Sequence, residues 1–143
     1  MNTQMLRQEI VEKLISFFDA KPEVTLAYLY GSFLRRDEWR DLDVAVWINE
    51  GMLMGRDAVD HVLRLGAELE RFLGWPRVQV DVRLMNEMGP AFQYEVIRTG
   101  RLVKSVDRPT QVRYEARVMS EYLDFKWLLN VYDRRLLQEV RQW

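Results

Sequence analysis

Three aspartates and one Gly-Ser pair are the residues of this 143-residue chain whose types and spacing could do chemistry. Asp41 and Asp43 stand two apart at the mouth of an apolar stretch, LDVAVWI. In an extended strand residues i and i+2 leave the same face, so the two carboxylates project together. Asp81 lies in VQVDVRL, where Gln79, Asp81 and Arg83 share one face and Val78, Val80, Val82 and Leu84 share the other. If the two strands are neighbours, three carboxylates converge on one patch. Like charges that close repel unless a cation neutralises them. A carboxylate-only site suits a hard cation, Mg²⁺ above all, which also takes substrate phosphates. One histidine and no cysteine leave little for zinc or a soft metal, and nothing for disulfides or thiol catalysis.

Gly31 and Ser32 supply the complementary half, directly after the apolar run VTLAYLY. Glycine allows a sharp exit from a strand and close approach of backbone to a ligand. Ser32 brings a hydroxyl and is expected to cap a short helix, whose first N–H groups would face an anion. Strand, Gly-Ser turn, helix start and Asp-x-Asp could together hold a triphosphate and its metals.

These residues need elements to position them. Leu6, Ile10, Leu14 and Phe17 or Phe18 recur at helical spacing and stop before Pro22. Strands are predicted at 24–30, 42–48 and 77–84, with a shorter one at Leu102-Val103. A helix is predicted over 58–72, where Val62, Leu65, Leu69 and Phe72 form a stripe. Breaks are expected at the loop from Gly51 to Gly55 and at Gly74-Trp75-Pro76. Gly89-Pro90 opens another helix, with proline tolerated in the first turn, and Gly100 caps its end. His61 reads as helix surface or packing.

From Gln111 to Trp143 there is no glycine and no proline, and apolar residues recur every three or four positions from Tyr114 onward. One unbroken helix of that length would run about 50 Å, against a radius of gyration of about 14 Å for a compact domain of this size. It must break, near Asn130, or project. Met119, Leu123, Trp127 and Leu137 also widen its apolar surface beyond one stripe, as a partner interface would. The order of elements predicts a single α/β (α+β) domain: a core over 1–107 and a C-terminal helical extension over 108–143, packed on the core and on a partner.

Hydrophobic residues at 48% and charged residues at 30% are those of an ordinary globular domain. A net charge of −1 argues against a dedicated nucleic-acid binder. No apolar run reaches membrane-spanning length, and the start MNTQMLRQEI is not a signal peptide, so no membrane role and a cytoplasmic setting are expected.

At the quoted residues the sequence resembles a known family. GSFLRRDEWRDLD with the later strand VQVDVRL looks like the minimal nucleotidyltransferase (MNT) domain of the polymerase-β-like superfamily. EVIRTGRLVKSVDR and RYEARVMSEYLDF resemble its later segments. The eight-residue spacer from Phe33 to Arg40 is shorter than that family's usual one, and Arg36 stands where it usually has a glycine. The resemblance implies a mixed sheet flanked by helices, and an antitoxin of a type VII HEPN/MNT toxin–antitoxin pair. It implies Mg²⁺-dependent transfer of AMP from ATP to a tyrosine of a HEPN ribonuclease toxin, with which the chain would form a hetero-oligomer. Asp41, Asp43 and Asp81 would be catalytic and metal-binding; Gly31, Ser32 and Arg35 would bind nucleotide. Two other functions fit the same residues: an antitoxin that neutralises by binding alone, and a nucleotidyltransferase for a small molecule.

Overall fold

The computed structural model describes residues 3–49, 51, 56–74 and 78–141. The expected 51–55 loop beyond Gly51, and the break at Trp75-Pro76, lie outside the described residues. The chain runs α1 (Thr3–Asp19), β1 (Val24–Tyr30), α2 (Ser32–Arg35), β2 (Asp41–Ile48), α3 (Arg56–Leu73), β3 (Gln79–Leu84), α4 (Pro90–Thr99), β4 (Arg101–Ser105) and α5 (Arg108–Arg141). A 3₁₀ turn at Met85–Glu87 links β3 to α4.

The four strands form one mixed sheet in the order β3-β2-β1-β4. β1 runs antiparallel to both β2 and β4. β2 and β3 are parallel, so the chain crosses over between them through α3. The register of β1 against β2 shifts between Val24 and Leu26. This irregularity puts Val24, Ala27 and Leu29 on one side of the sheet and Leu26 and Tyr28 on the other.

The first side is covered by α1 and α3. Ile10, Leu14, Phe17 and Phe18 of α1 meet Leu42, Val44, Val46 and Ile48 of β2, with Leu65 and Leu69 of α3. Each such side chain, fully buried, contributes roughly 1.5–3 kcal/mol. The second side is covered by α4 and the first half of α5. Tyr114 stacks on Trp47 with ring centroids 4.5 Å apart, and its hydroxyl donates to the buried Gln93 Oε1 at 2.7 Å. Gln93 Nε2 in turn donates to the Met88 carbonyl oxygen at 2.5 Å, tying α5, α4 and the turn before it together.

Of the two outcomes expected for the C-terminal helix, projection is the one observed. α5 is continuous for 34 residues. Tyr114 and Val118 are buried, and Tyr122 stacks on Tyr94 at 4.0 Å. Beyond Tyr122 the apolar residues of α5 are largely exposed among the described residues: Trp127 is 64% and Val140 67% exposed. At its start, the Thr110 N–H donates to Asp107 Oδ1 at 2.7 Å, a side-chain cap.

Candidate active site

The alternation of β2 sends Leu42, Val44 and Val46 into the core and turns Asp41 and Asp43 to the α4 side of the sheet. Asp43 is half-buried and Asp41 exposed. The parallel pairing of β2 and β3 places Asp81 directly across from Asp43. On its other side Asp43 pairs with Tyr30, the last residue of β1. Tyr30, Asp43 and Asp81 therefore form one row across three strands, with Asp41 two residues away at the start of β2.

Gly31 follows Tyr30 with φ +84° and ψ −152°, a region effectively reserved for glycine. A Cβ built on it would stand 2.5 Å from Asp43 Oδ2. The backbone thus turns against the carboxylate, at a distance only glycine permits. The expectation that Ser32 caps the short helix is corrected here: Gly31 is the cap residue, makes no side-chain cap, and Ser32 is the first residue inside α2. The positive φ that the turn requires takes the cap position for glycine.

Arg35 ends α2 at the surface, 3.7 Å from Glu95 of α4. Past it, the spacer residues Arg36, Trp39 and Arg40 join Ser32 and Asp41 in lining an open cleft of about 1010 Å³. Arg7 of α1 holds that spacer in place. Its guanidinium donates to the carbonyl oxygens of Phe33 and Arg36, and lies 5.1 Å from the Phe33 ring centroid. Phe33 is buried and packs edge-on against Trp39. The sequence carries no local sign of the Arg7 clamp, because its partners are 26 and 29 residues away.

The electrostatics follow from the row of acids. The Asp43 carboxyl is pushed above the usual aspartate range, first by burial, then by the Asp81 and Asp41 charges, with Arg83 opposing. Burial raises the Tyr30 hydroxyl to about 12; Arg83 works against this and the two aspartates add to it. Arg83 is the counter-charge of the patch: its Nε donates to Asp81 Oδ2 at 3.1 Å. Its place on the acidic face was visible in the alternation of β3; its pairing was not. Among the described residues, no group of three or more histidine or carboxylate side chains is gathered to hold a metal ion. The donor chemistry nevertheless fits a hard cation: three carboxylates on one face, two opposed in register, and a half-buried acid resisting ionisation. His61 is remote from this patch, 3.3 Å from Glu23 beside the start of β1.

Comparison with known proteins shows the family and the fold that carry this row. The polymerase beta nucleotidyltransferase family matches residues 12–109, and the chain belongs to it. The chain thus carries a nucleotidyltransferase domain on a polymerase-β-like fold, as its sequence resemblance implied. Comparison with curated protein sequences finds no match. Solved structures are similar over nearly the whole chain. A chain in the complex of a tri-AMPylated Shewanella oneidensis HEPN toxin with MNT antitoxin is 18% identical, with TM-score 0.64, covering 94% of this chain and 98% of that one. A chain of a toxin–antitoxin structure with AMP-PNP is 19% identical, with TM-score 0.65, covering 92% and 98%. A chain of the toxin–antitoxin MntA-HepT is 16% identical, with TM-score 0.59, covering 94% and 98%. Among the described residues no helix is long and apolar enough to cross a membrane.

Proposed function

We infer that this chain is the antitoxin of a type VII HEPN/MNT pair, and that it silences its partner in the cytoplasm by moving AMP from ATP onto a tyrosine of a HEPN ribonuclease toxin. One observation carries the reading: Asp43 stands in register between Tyr30 and Asp81, with the Gly31 backbone turned against it, at the mouth of a nucleotidyltransferase domain. The solved structures it is similar to include an AMPylated HEPN toxin and a complex with AMP-PNP.

In this reading Asp41, Asp43 and Asp81 hold Mg²⁺, which when bound neutralises phosphate charge and lowers the pKa of the attacking hydroxyl. Gly31 lets the chain come close to the nucleotide, and the Ser32 hydroxyl binds its terminal phosphates. Arg35 exchanges an exposed pair with Glu95 for a phosphate, at little cost because such surface pairs are weak. The tyrosine oxygen attacks the α-phosphorus. The bond from that phosphorus to the oxygen bridging to the β-phosphate breaks, pyrophosphate leaves, and the hydroxyl proton passes to Asp81. The exposed half of α5 offers the toxin its docking surface, since an apolar face of that size otherwise stands in water.

The observation that Asp81 is paired with Arg83, with no metal-holding group of three such side chains among the described residues, favours a second reading: neutralisation by binding alone. Intact mass of the HEPN partner decides between them. Incubated with this chain, ATP and Mg²⁺, the partner gains one or more AMP units, and gains none with an Asp41→Ala/Asp43→Ala variant. A stable complex with no mass gain would overturn the enzyme and leave the binder.

A further inference from the structure

Arg83 is a cation set into an acidic patch. β3 places it two residues beyond Asp81 on the same face, with Nε 3.1 Å from Asp81 Oδ2. Both side chains are about half exposed, so the pair is open to exchange. The guanidinium also lies 6.0 Å from the Phe92 ring centroid, within reach of a cation–π contact. Phe92 packs edge-on against Tyr30 at 5.5 Å, and Tyr30 is the cross-strand partner of Asp43. Arg83 therefore makes two contacts beside the same row, both in this one conformation: one with the Asp81 carboxylate and one with the Phe92 ring that packs on Tyr30. In the first it occupies an oxygen that a metal site would need.

We propose that Arg83 is a positioning residue that competes with a divalent cation for Asp81, neutralising the acidic row when no cation is bound and moving onto the Tyr30–Phe92 wall when Asp81 is given over to one. This rests on the metal-binding reading of Asp41, Asp43 and Asp81. An incidental surface pair would behave differently: its loss would leave cation affinity unchanged.

The test measures Mn²⁺ binding to the full chain without nucleotide, by the paramagnetic signal of the free ion. Removing a positive charge a few ångströms from a ligand oxygen should tighten binding by about fivefold or more. Arg83→Gln is expected to show that gain, Arg83→Lys to stay near wild type, and Arg83→Gln/Asp81→Asn to lose it. Arg83→Met, which keeps an apolar stem against Phe92, should show the same gain should Arg83→Gln fold poorly. In melting experiments with chelator, Arg83→Gln should be less stable than wild type, and Mn²⁺ should close the gap. Wild-type binding with an unchanged affinity in both Arg83→Gln and Arg83→Met would overturn the competition alone. Absence of Mn²⁺ binding in every variant would overturn it together with the metal-binding reading.

Discussion

The two faces of the sheet are built from the same strands and do opposite work. The face under α1 and α3 is apolar along its length, from Val24 and Ile48 at one end to Leu29 and Leu42 at the other. The face under α4 and α5 is apolar only where those helices cover it, around Tyr28, Ala45, Trp47, Tyr114 and Val118. Where that cover stops, the same strands present Tyr30, Asp41, Asp43 and Asp81. Asp43 sits at the border, half-buried, and its carboxyl resists ionisation for that reason first. One face supplies the stability that lets the other hold like charges in register at its open end. The acidic row is placed by the limit of a helix layer as much as by the strands.

The largest effect that would break this contrast is catalytic. Asp43→Asn should lower AMP transfer at least ~1000-fold, about 4 kcal/mol of transition-state stabilisation, while leaving the melting temperature equal to or above wild type. A rate assay beside a thermal melt checks both halves. A loss of stability matching the loss of activity would mean that Asp43 belongs to the core.

On the opposite face the signs reverse. Leu14, fully buried between α1 and the sheet, should cost about 2–5 kcal/mol when changed to alanine, measured by urea unfolding. Trp127→Ala, on the projecting half of α5, should change stability by no more than about 0.5 kcal/mol. It should instead weaken binding to the HEPN partner, by tenfold or more if Trp127 is an anchor of that interface. Equal stability losses at Leu14 and Trp127 would contradict a projecting α5.

Gly31→Ala tests the border itself. Its φ of +84° costs about 1–3 kcal/mol for any residue with a Cβ, and that Cβ would press on Asp43 Oδ2. Both stability and transfer should fall, in one variant, because backbone and carboxylate share the space. Normal transfer in a destabilised Gly31→Ala would separate the turn from the site.

The smallest effect is at the start of α5. Asp107 is held below the usual aspartate range by its hydrogen bonds with Thr110. A depressed folded-state pKa gives stability that is present above the unfolded value and lost as pH falls through the folded one. Asp107→Ala should therefore melt lower than wild type at pH 7, and the gap should close as pH falls below the ordinary aspartate range. A gap that persists in acid would assign the cap to something other than charge.

Much of this architecture was legible in local patterning. The run VTLAYLY became β1 at Val24–Tyr30, and the alternation of VQVDVRL placed Asp81 on the same face as Asp43. Glycine after a strand, followed by Asp-x-Asp, pointed to the acidic row because strand geometry puts i and i+2 on one side. What was not legible depends on distance in the chain or on fine backbone choice. Arg7 reaches the spacer across 26 residues, and no periodicity reports such a contact. Ser32 looked like the cap, yet the positive φ at Gly31 moved the cap one residue back. The length of α5 could be read, but whether it broke or overhung depended on where α4 stopped covering it. The Asp81–Arg83 pair was two letters apart in plain view, but strand alternation says only that the two share a face, not that they touch.

In the proposed function the carboxylate row directs transfer of a nucleotidyl group to a protein hydroxyl. Its most direct test is the fate of two labels, on the α- and the γ-phosphate of ATP, in wild type and Asp43→Asn with the HEPN partner and Mg²⁺. With wild type, α-label is expected on the partner and γ-label in released pyrophosphate, and neither with Asp43→Asn. Label from the γ-phosphate on the partner, or α-label that survives Asp43→Asn undiminished, would contradict it.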